Sequence, residues 1–419
     1  MMRLQWTRAI VGGLATAVAT LLCAAGLVGG QATPGGQKAP VAAPKPRTAP
    51  AQKSPAQKPA APKQPMAEDV LKNVQVLKGI PLDEFMGTMG FFAAALDLNC
   101  IDCHVPEATG TGGGAGDFAR YADDTPMKVT ARKMVLMDRA INRNNFAGQE
   151  MVTCYTCHRS SERPLIKPSL AEQYGTVPDI DPNDVESDGK ANAPGAPSAD
   201  KILDKYIEAI GGAQRLATLT SFVAKGTYES FETADAKVQA EVYAKAPNQR
   251  MTVAHIHAEG GFKDSTTTYD GQNGWVFART TTVPLLALTG GNLDGAKVDA
   301  ELSFPGGIKK DLANLNANYP ETDIDGQPVS IVGGTVGKTL VKLYFDKKSG
   351  LLVRQVRNAN TIVGPNPTQI DYSDYRDVSG IKMPFHSVVS WTDNRITWDF
   401  TDVQLNVPID PAKFAKPTP

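Results

Sequence analysis

Cys100-Ile101-Asp102-Cys103-His104 and Cys154-Tyr155-Thr156-Cys157-His158 repeat one five-residue pattern, 54 positions apart. Cys-x-x-Cys-His is the attachment pattern of c-type haem. Two thiols separated by two residues reach the two vinyl groups on one porphyrin edge, and the adjacent imidazole ligates iron from the proximal side. A chain that carries this pattern must fold around a large flat ring as well as around its own side chains. A single copy is compatible with a thiol redox pair beside an idle histidine; two copies favour haem. Two covalently bound c-type haems are therefore expected, held by Cys100, Cys103 and His104 and by Cys154, Cys157 and His158.

The remaining cysteine, Cys23, lies in a stretch patterned for export. Arg3 and Arg8 precede an apolar run from Ile10 to Val28, and Gly30-Gln31-Ala32 supplies small residues for cleavage. Leu22 stands where a lipidation signal needs a small residue, which argues against a lipoprotein. The run is nearly the ~20 residues that span a bilayer core, so residues 1–32 read as a signal peptide or an N-terminal membrane anchor. Either places the mature chain in the periplasm or on the periplasmic face of a membrane. A net charge of -1 without a basic, aromatic-rich module argues against nucleic acid as a partner.

Composition then divides the chain. Residues 31–66 hold nine prolines and six Lys or Arg with no acid, too little apolar surface to offset the entropy of ordering. The divisions are 33–66 as a disordered tether, 67–170 as a helical dihaem domain, 171–199 as a linker and 200–415 as a β-rich domain. Within the dihaem part, Pro81 with Asp83 and Glu84 starts a helix whose apolar stripe is Phe85, Met89, Phe92 and Leu96. Asp124-Thr125-Pro126 starts a second, with the stripe Thr130, Met134, Met137 and Ile141. Each half is thus a methionine-bearing helix followed by the cysteine motif. Met89, on the stripe and 11 residues before Cys100, is the candidate sixth ligand of the first iron, with Met86 one turn back as fallback. Met137, then Met134, is the candidate for the second iron; a histidine from elsewhere or an open position is the alternative.

Several stretches, among them Glu84-Phe85-Met86-Gly87-Thr88-Met89, Ala131-Arg132-Lys133-Met134-Val135-Leu136-Met137, Arg139-Ala140-Ile141-Asn142 and Val152-Thr153 before the second motif, resemble the cytochrome c subunit of photosynthetic reaction centres. The similarity covers about 70–165 and corresponds to the C-terminal pair of that subunit's four haems. It implies His/Met ligation of the first haem, with Met89 at the matching position. In the four-haem family the last haem takes a distal histidine from the N-terminal half, which the proline-rich tether replaces here. The resemblance therefore leaves the second haem's sixth ligand open.

Beyond 200 the pattern changes. A helix capped by Ser198 or Asp200 carries Ile202, Leu203, Tyr206 and Ile210 and stops at Gly211-Gly212. Strand-like runs follow at 221–231, 238–244, 250–256, 274–278, 339–345, 351–357 and 396–400, separated by turn clusters, as in an antiparallel meander. Tyr269-Asp270-Gly271 before Trp275, and Asp374-Tyr375-Arg376-Asp377 before Gly380-Ile381, resemble the lipoprotein-carrier proteins of the periplasm. That resemblance implies a curved sheet around an apolar cavity, with an acyl chain as its ligand. Gly333-Gly334-Thr335-Val336-Gly337-Lys338-Thr339 has a phosphate-loop flavour, but Val332 stands where its first glycine belongs. His255, His257 and His386 read as half-buried polar residues rather than metal ligands.

The chain is expected to be multidomain, a helical dihaem unit followed by an antiparallel β-rich half-barrel. Its expected work is electron transfer between redox partner proteins, without catalytic residues of its own. Two alternatives stand beside that: a dihaem peroxidase or reductase with an open second haem, and a periplasmic lipid or lipoprotein carrier with the haems as a redox sensor.

Overall fold

The computed structural model describes residues 64–109, 116–175, 181–187, 197–258, 261–279 and 283–418. The export segment and nearly all of the tether lie outside the described residues. Eleven α-helices are described: α1 (Ala67–Val70), α2 (Leu82–Leu96), α3 (Cys100–Cys103), α4 (Pro106–Thr109), α5 (Pro126–Asn145), α6 (Cys154–His158), α7 (Leu170–Tyr174), α8 (Ala199–Ala209), α9 (Ala213–Leu216), α10 (Gly290–Glu301) and α11 (Ile308–Asp311). The strands are β1 (Ser221–Ser230), β2 (Val238–Lys245), β3 (Gln249–Ala258), β4 (Gly261–Tyr269), β5 (Gly274–Ala278), β6 (Leu285–Ala287) and β7 (Ala313–Asn316). They continue as β8 (Thr322–Ile324), β9 (Gln327–Val336), β10 (Thr339–Asp346), β11 (Leu352–Thr361), β12 (Gly364–Val378), β13 (Ile381–Trp391) and β14 (Asn394–Leu405).

The strands form a single antiparallel sheet in the order β6-β5-β4-β3-β2-β1-β14-β13-β12-β11-β10-β9-β7, with β8 paired to β9. Two meanders thus meet where β1 pairs with β14, Phe222 opposite Leu405 and Ser230 opposite Ile396. The long crossover from β6 to β7 contains α10, which touches β3 and β4 in one meander and β9, β10 and β11 in the other. One helix reaches both only if the sheet curls around it, as the accumulated right-handed twist of many strands requires. Its concave side holds the main core, where Leu203 and Tyr206 of α8 and Ile210 just past its end meet Val341, Leu343 and Phe345 of β10.

Strand β10 is buried on both faces. Its alternate residue Tyr344 packs with Val329, Ile331, Val356 and Val185 on the opposite side. Val185 belongs to the stretch whose composition reads as linker, and the described part of that stretch, 181–187, is tied to the sheet. Lys342 Nζ donates to the carbonyls of Val185 at 2.7 Å and Asn183 at 3.1 Å, and Tyr344 donates to Pro182 O at 2.8 Å. Backbone carbonyls held by a buried ammonium are costly to release.

Residues 62–419 form one compact unit, so the helical part is packed onto the sheet. Asp83 is 3% exposed and accepts from Thr289 N at 2.7 Å, Thr289 Oγ1 at 2.6 Å and Asn292 Nδ2 at 3.0 Å, anchoring α2 to the start of α10. Further along α2, Phe91 lies against Gly364 at the tip of the β11–β12 hairpin, where a Cβ would sit 2.5 Å from the ring. Val363 of the same tip joins Phe91, Ala95 and Val135 in one apolar cluster.

This docking turns the helices away from the faces expected of them. The most buried residues of α2 are Leu82, Asp83, Thr88, Gly90, Phe91 and Ala95, while Phe85, Met89 and Phe92 are only half-buried. In α5 the buried face is Val135, Asp138 and Asn142, one position away from the methionine stripe. Of its two polar residues, Asn142 does structural work there. Asn142 takes the amides of Met151 and Val152 on its Oδ1 and donates to Val152 O at 2.7 Å, fixing the approach to the second motif.

Candidate haem-attachment sites

Each motif folds as a one-turn helix with a polar cap. Asn99 accepts from Ile101 N at 3.0 Å, and Asp102 returns a bond to Asn99 N at 2.8 Å. Thr153 and Thr156 make the same reciprocal pair before α6, at 3.3 and 3.0 Å. Such caps hold a turn too short to be stable alone. A turn of helix places residues three apart on one face, which sets Cys100 beside Cys103 and Cys154 beside Cys157.

Burial raises the Cys103 thiol pKa, with Asp102 and Cys100 adding to the effect. Burial, with Asp138 next, pushes Cys154 up to about 11. A thiol redox pair needs a lowered pKa and an accessible thiolate. Cys103 and Cys154 are shifted the opposite way, which disfavours a dithiol redox role and suits covalent anchorage.

The histidines are set differently. The His104 ring lies 4.7 Å from that of Tyr121, and its Nδ1 is buried without a hydrogen-bond partner of good geometry. Burial first, and then the positive charge of Lys128, hold its pKa down, so the imidazole is the neutral form that a metal requires. Thr125, which caps α5, donates to Cys103 O at 2.7 Å and ties this motif to that helix. His158 has Nδ1 3.0 Å from Ser161 O, a contact that orients the ring and leaves Nε2 free.

Apolar surface gathers around both motifs. Ile101, Met134, Met137, Met151 and Tyr155 are all exposed, and fifteen of the seventeen large exposed hydrophobic residues among those described lie between residues 70 and 174. Such a concentration calls for an apolar partner of large area. Paired thiols, a histidine beside each pair and an apolar surround together fit a covalently attached haem at each motif. Among the described residues no group of three or more His, Cys, Asp or Glu gathers as a bare-metal site would need.

The candidate sixth ligands are placed unequally. Met89 is half-buried in the apolar cluster that also contains Cys154, and α2 packs against α6. Met89 thus shares an apolar cluster with the second motif's first cysteine, while its link to the first motif rests on sequence spacing and resemblance. Met86, Met134 and Met137 are exposed, at 42%, 37% and 47%. Helix α5 touches both α3 and α6. The histidines of the sheet are engaged elsewhere: His255 Nδ1 lies 2.7 Å from Asp264, and His386 Nδ1 lies 2.6 Å from Asp399. The side chain of His257 lies outside the described residues.

The glycine-rich stretch 333–339 is the end of β9, a turn and the start of β10. Gly337 has φ +59°, and Asp294 accepts from Lys338 N at 3.2 Å and from Thr339 Oγ1 at 2.9 Å. A carboxylate already fills the place a phosphate would take.

The curled sheet and its covering helices have the form of a cavity-bearing antiparallel half-barrel, and the helical part carries two Cys-x-x-Cys-His motifs. Residues 33–172 match the family model described as photosynthetic reaction centre cytochrome C subunit. Over 104 residues the chain is 38% identical to the photosynthetic reaction center cytochrome c subunit of Thermochromatium tepidum, covering 24% of this chain and 23% of that protein. The chain therefore matches under a quarter of that relative's length. Among solved structures it is similar to a LolA superfamily protein from Nitrosomonas europaea, at 16% identity and TM-score 0.35, covering 53% of this chain and 99% of the other. It is also similar to a DUF1329 family protein from Desulfovibrio piger, at 12% identity and TM-score 0.38, covering 52% and 98%. An outer membrane lipoprotein-sorting protein domain from Vibrio parahaemolyticus matches at 9% identity and TM-score 0.35, covering 51% and 97%.

Proposed function

We propose that this protein is an exported dihaem c-type cytochrome that passes electrons between partner proteins, with the β part serving ligand or partner binding. The observation that carries the reading is the pair of capped one-turn helices, each presenting two thiols on one face and a histidine beside them. A bound haem supplies a one-electron couple whose potential responds to its axial ligands and surroundings. The chain's own residues do the rest. Ser161 O and the neighbourhood of Tyr121 orient the two imidazoles, and the apolar surround lowers the local dielectric. The match of residues 33–172 to reaction-centre cytochromes supports electron carriage rather than turnover of a substrate. Among the described residues no helix is long and apolar enough to cross a membrane, so any anchorage through the N-terminus rests on residues 1–32.

The test is haem stoichiometry. Pyridine haemochrome assay of the purified protein after acid-acetone extraction should find two haems per chain, and the double variant Cys100→Ala/Cys103→Ala should retain one. An extractable haem, or one per chain in the unmodified protein, sinks the reading. Carbon monoxide binding one ferrous haem, or peroxide reacting with one ferric haem, would instead favour the peroxidase alternative, with an open second iron.

A further inference from the structure

Two hairpin tips of the sheet grip helix α2 on one side. The first is that of β11–β12, where Asn366 Nδ2 donates to Gly87 O at 3.3 Å. The second is that of β13–β14, where Thr392 Oγ1 donates to Asn366 Oδ1 at 2.8 Å and so ties the two tips together. The approach is close. A Cβ at Gly87 would meet Asn366 Nδ2 at 3.3 Å, and one at Gly90 would meet the Asp393 carboxyl and the Thr392 hydroxyl at 3.0 Å. Phe91 completes the same side against Gly364. Glycine weakens a helix interior, so two of them one turn apart serve this approach rather than the helix itself.

At about 3.6 residues per turn, Met89 lies roughly opposite those contacts, with Phe85 and Phe92 beside it. Phe85, Met89 and Phe92 share an apolar cluster with Cys154, and α2 packs against α6. Ser160, just past the second motif, donates to Ala94 O at 3.0 Å and fastens that motif to the same helix. Helix α2 is therefore clamped between the hairpin tips and a Cys-x-x-Cys-His motif. A displacement at the tips is passed to the Met89 side, because close-packed interiors transmit strain.

We propose that the two hairpin tips are positioning elements of the haem centre, with Asn366 and the close contact at Gly90 fixing how Met89 is presented to the iron it ligates. Groups behind a metal ligand hold its orientation, and their loss weakens its bond to the metal. A weaker thioether bond lowers the potential and lets an outside ligand take its place. The proposal rests on Met89 being an iron ligand and holds for either haem.

The experiment titrates the ferric full-length holoprotein with imidazole, a small competitor for the sixth position, with Met89→Ala marking the spectrum of the haem that Met89 serves. Asn366→Ala should bind imidazole at that haem about tenfold more tightly than the native protein and lower its potential, at unchanged haem content. Gly90→Ala should do the same, although alanine strengthens the helix. Val332→Ala, which opens a cavity in a core cluster containing neither tip, should lower the melting temperature without moving either readout. Native imidazole affinity and potential in both Asn366→Ala and Gly90→Ala would overturn the positioning role and leave Met89 as a ligand. So would a shift in Val332→Ala as large as theirs. If Met89→Ala itself changes neither haem, ligation fails and the proposal falls with it. Absence of covalent haem would overturn the cytochrome reading and the proposal together. Asn366→Ala alters only a hairpin side chain, so the test stands even if Gly90→Ala does not fold.

Discussion

Met89 shows how sequence spacing and spatial position can point to different partners. It precedes Cys100 at the spacing of a distal ligand, yet it packs in the cluster that contains Cys154. Met89→Ala should leave both haems covalently attached, turn one of them high-spin and lower its potential, because thioether sulfur favours ferrous iron. Repeating the substitution in Cys100→Ala/Cys103→Ala identifies the haem. If Met89 serves the first haem, the remaining spectrum will not change; a change there reassigns it to the second. Glu301 on α10 is a second informative residue. Its Oε2 is buried without a partner, and burial raises its pKa from 4.5 to about 7, against the opposing pull of Lys297. The native state therefore holds this proton more tightly than the unfolded chain. That contribution is fully present below pH about 4.5 and is lost as pH rises through about 7. Discounted for solvent screening of the exposed Lys297, the loss should be roughly 1–2 kcal/mol. Urea denaturation across that window should show it in the native protein and not in Glu301→Gln.

At the scale of elements, α2 joins the haem motifs to the sheet. Asp83 and Glu84 read from sequence as acids complementing the dipole of their own helix. Asp83 instead spends both oxygens on the start of another helix, 206 residues away, through Thr289 and Asn292. Asp83→Ala removes three bonds to a buried carboxylate and strands the Thr289 amide, and should cost about 3 kcal/mol in thermal or urea unfolding. Asp83→Asn, which keeps an acceptor, should cost about 1 kcal/mol. If the two variants match the native protein, the contact is not made in solution. Ser221–Ser230 was legible in sequence because one face is buried in a regular period, and Thr339–Asp346 because it is a short apolar run between turn signals. Strands β9, β12 and β13 were not. Gly333 and Gly334 interrupt β9, and Pro365 and Pro367 sit in β12; local propensity opposes a strand at such positions. Pairing with neighbours on both sides outweighs it. Gly333 is also required by the close approach of Tyr319, where a Cβ would collide with the phenol.

For the whole molecule, the helical part and the sheet share a core. Phe91, Ala95 and Val135 pack with Val363 of the β11–β12 hairpin, so a chain ending at residue 175 would expose that cluster and lose the Asp83 anchor. Such a chain should attach haem in lower yield and unfold at a lower temperature, as followed by the Soret band. Unchanged melting would show that the two parts are energetically independent. What the order of residues settles is chemistry of short range. The two cysteine motifs, their caps, the helix starts at Pro81 and Pro126 and the break in composition near residue 200 depend on neighbours within a turn or two. Which face of α2 or α5 is buried, and whether the acidic stretch around Val185 is free or pinned by Lys342, depend on residues far away in the chain. Those outcomes were fixed when the sheet curled around α10, because burial and charge compensation are properties of the packed environment rather than of local sequence.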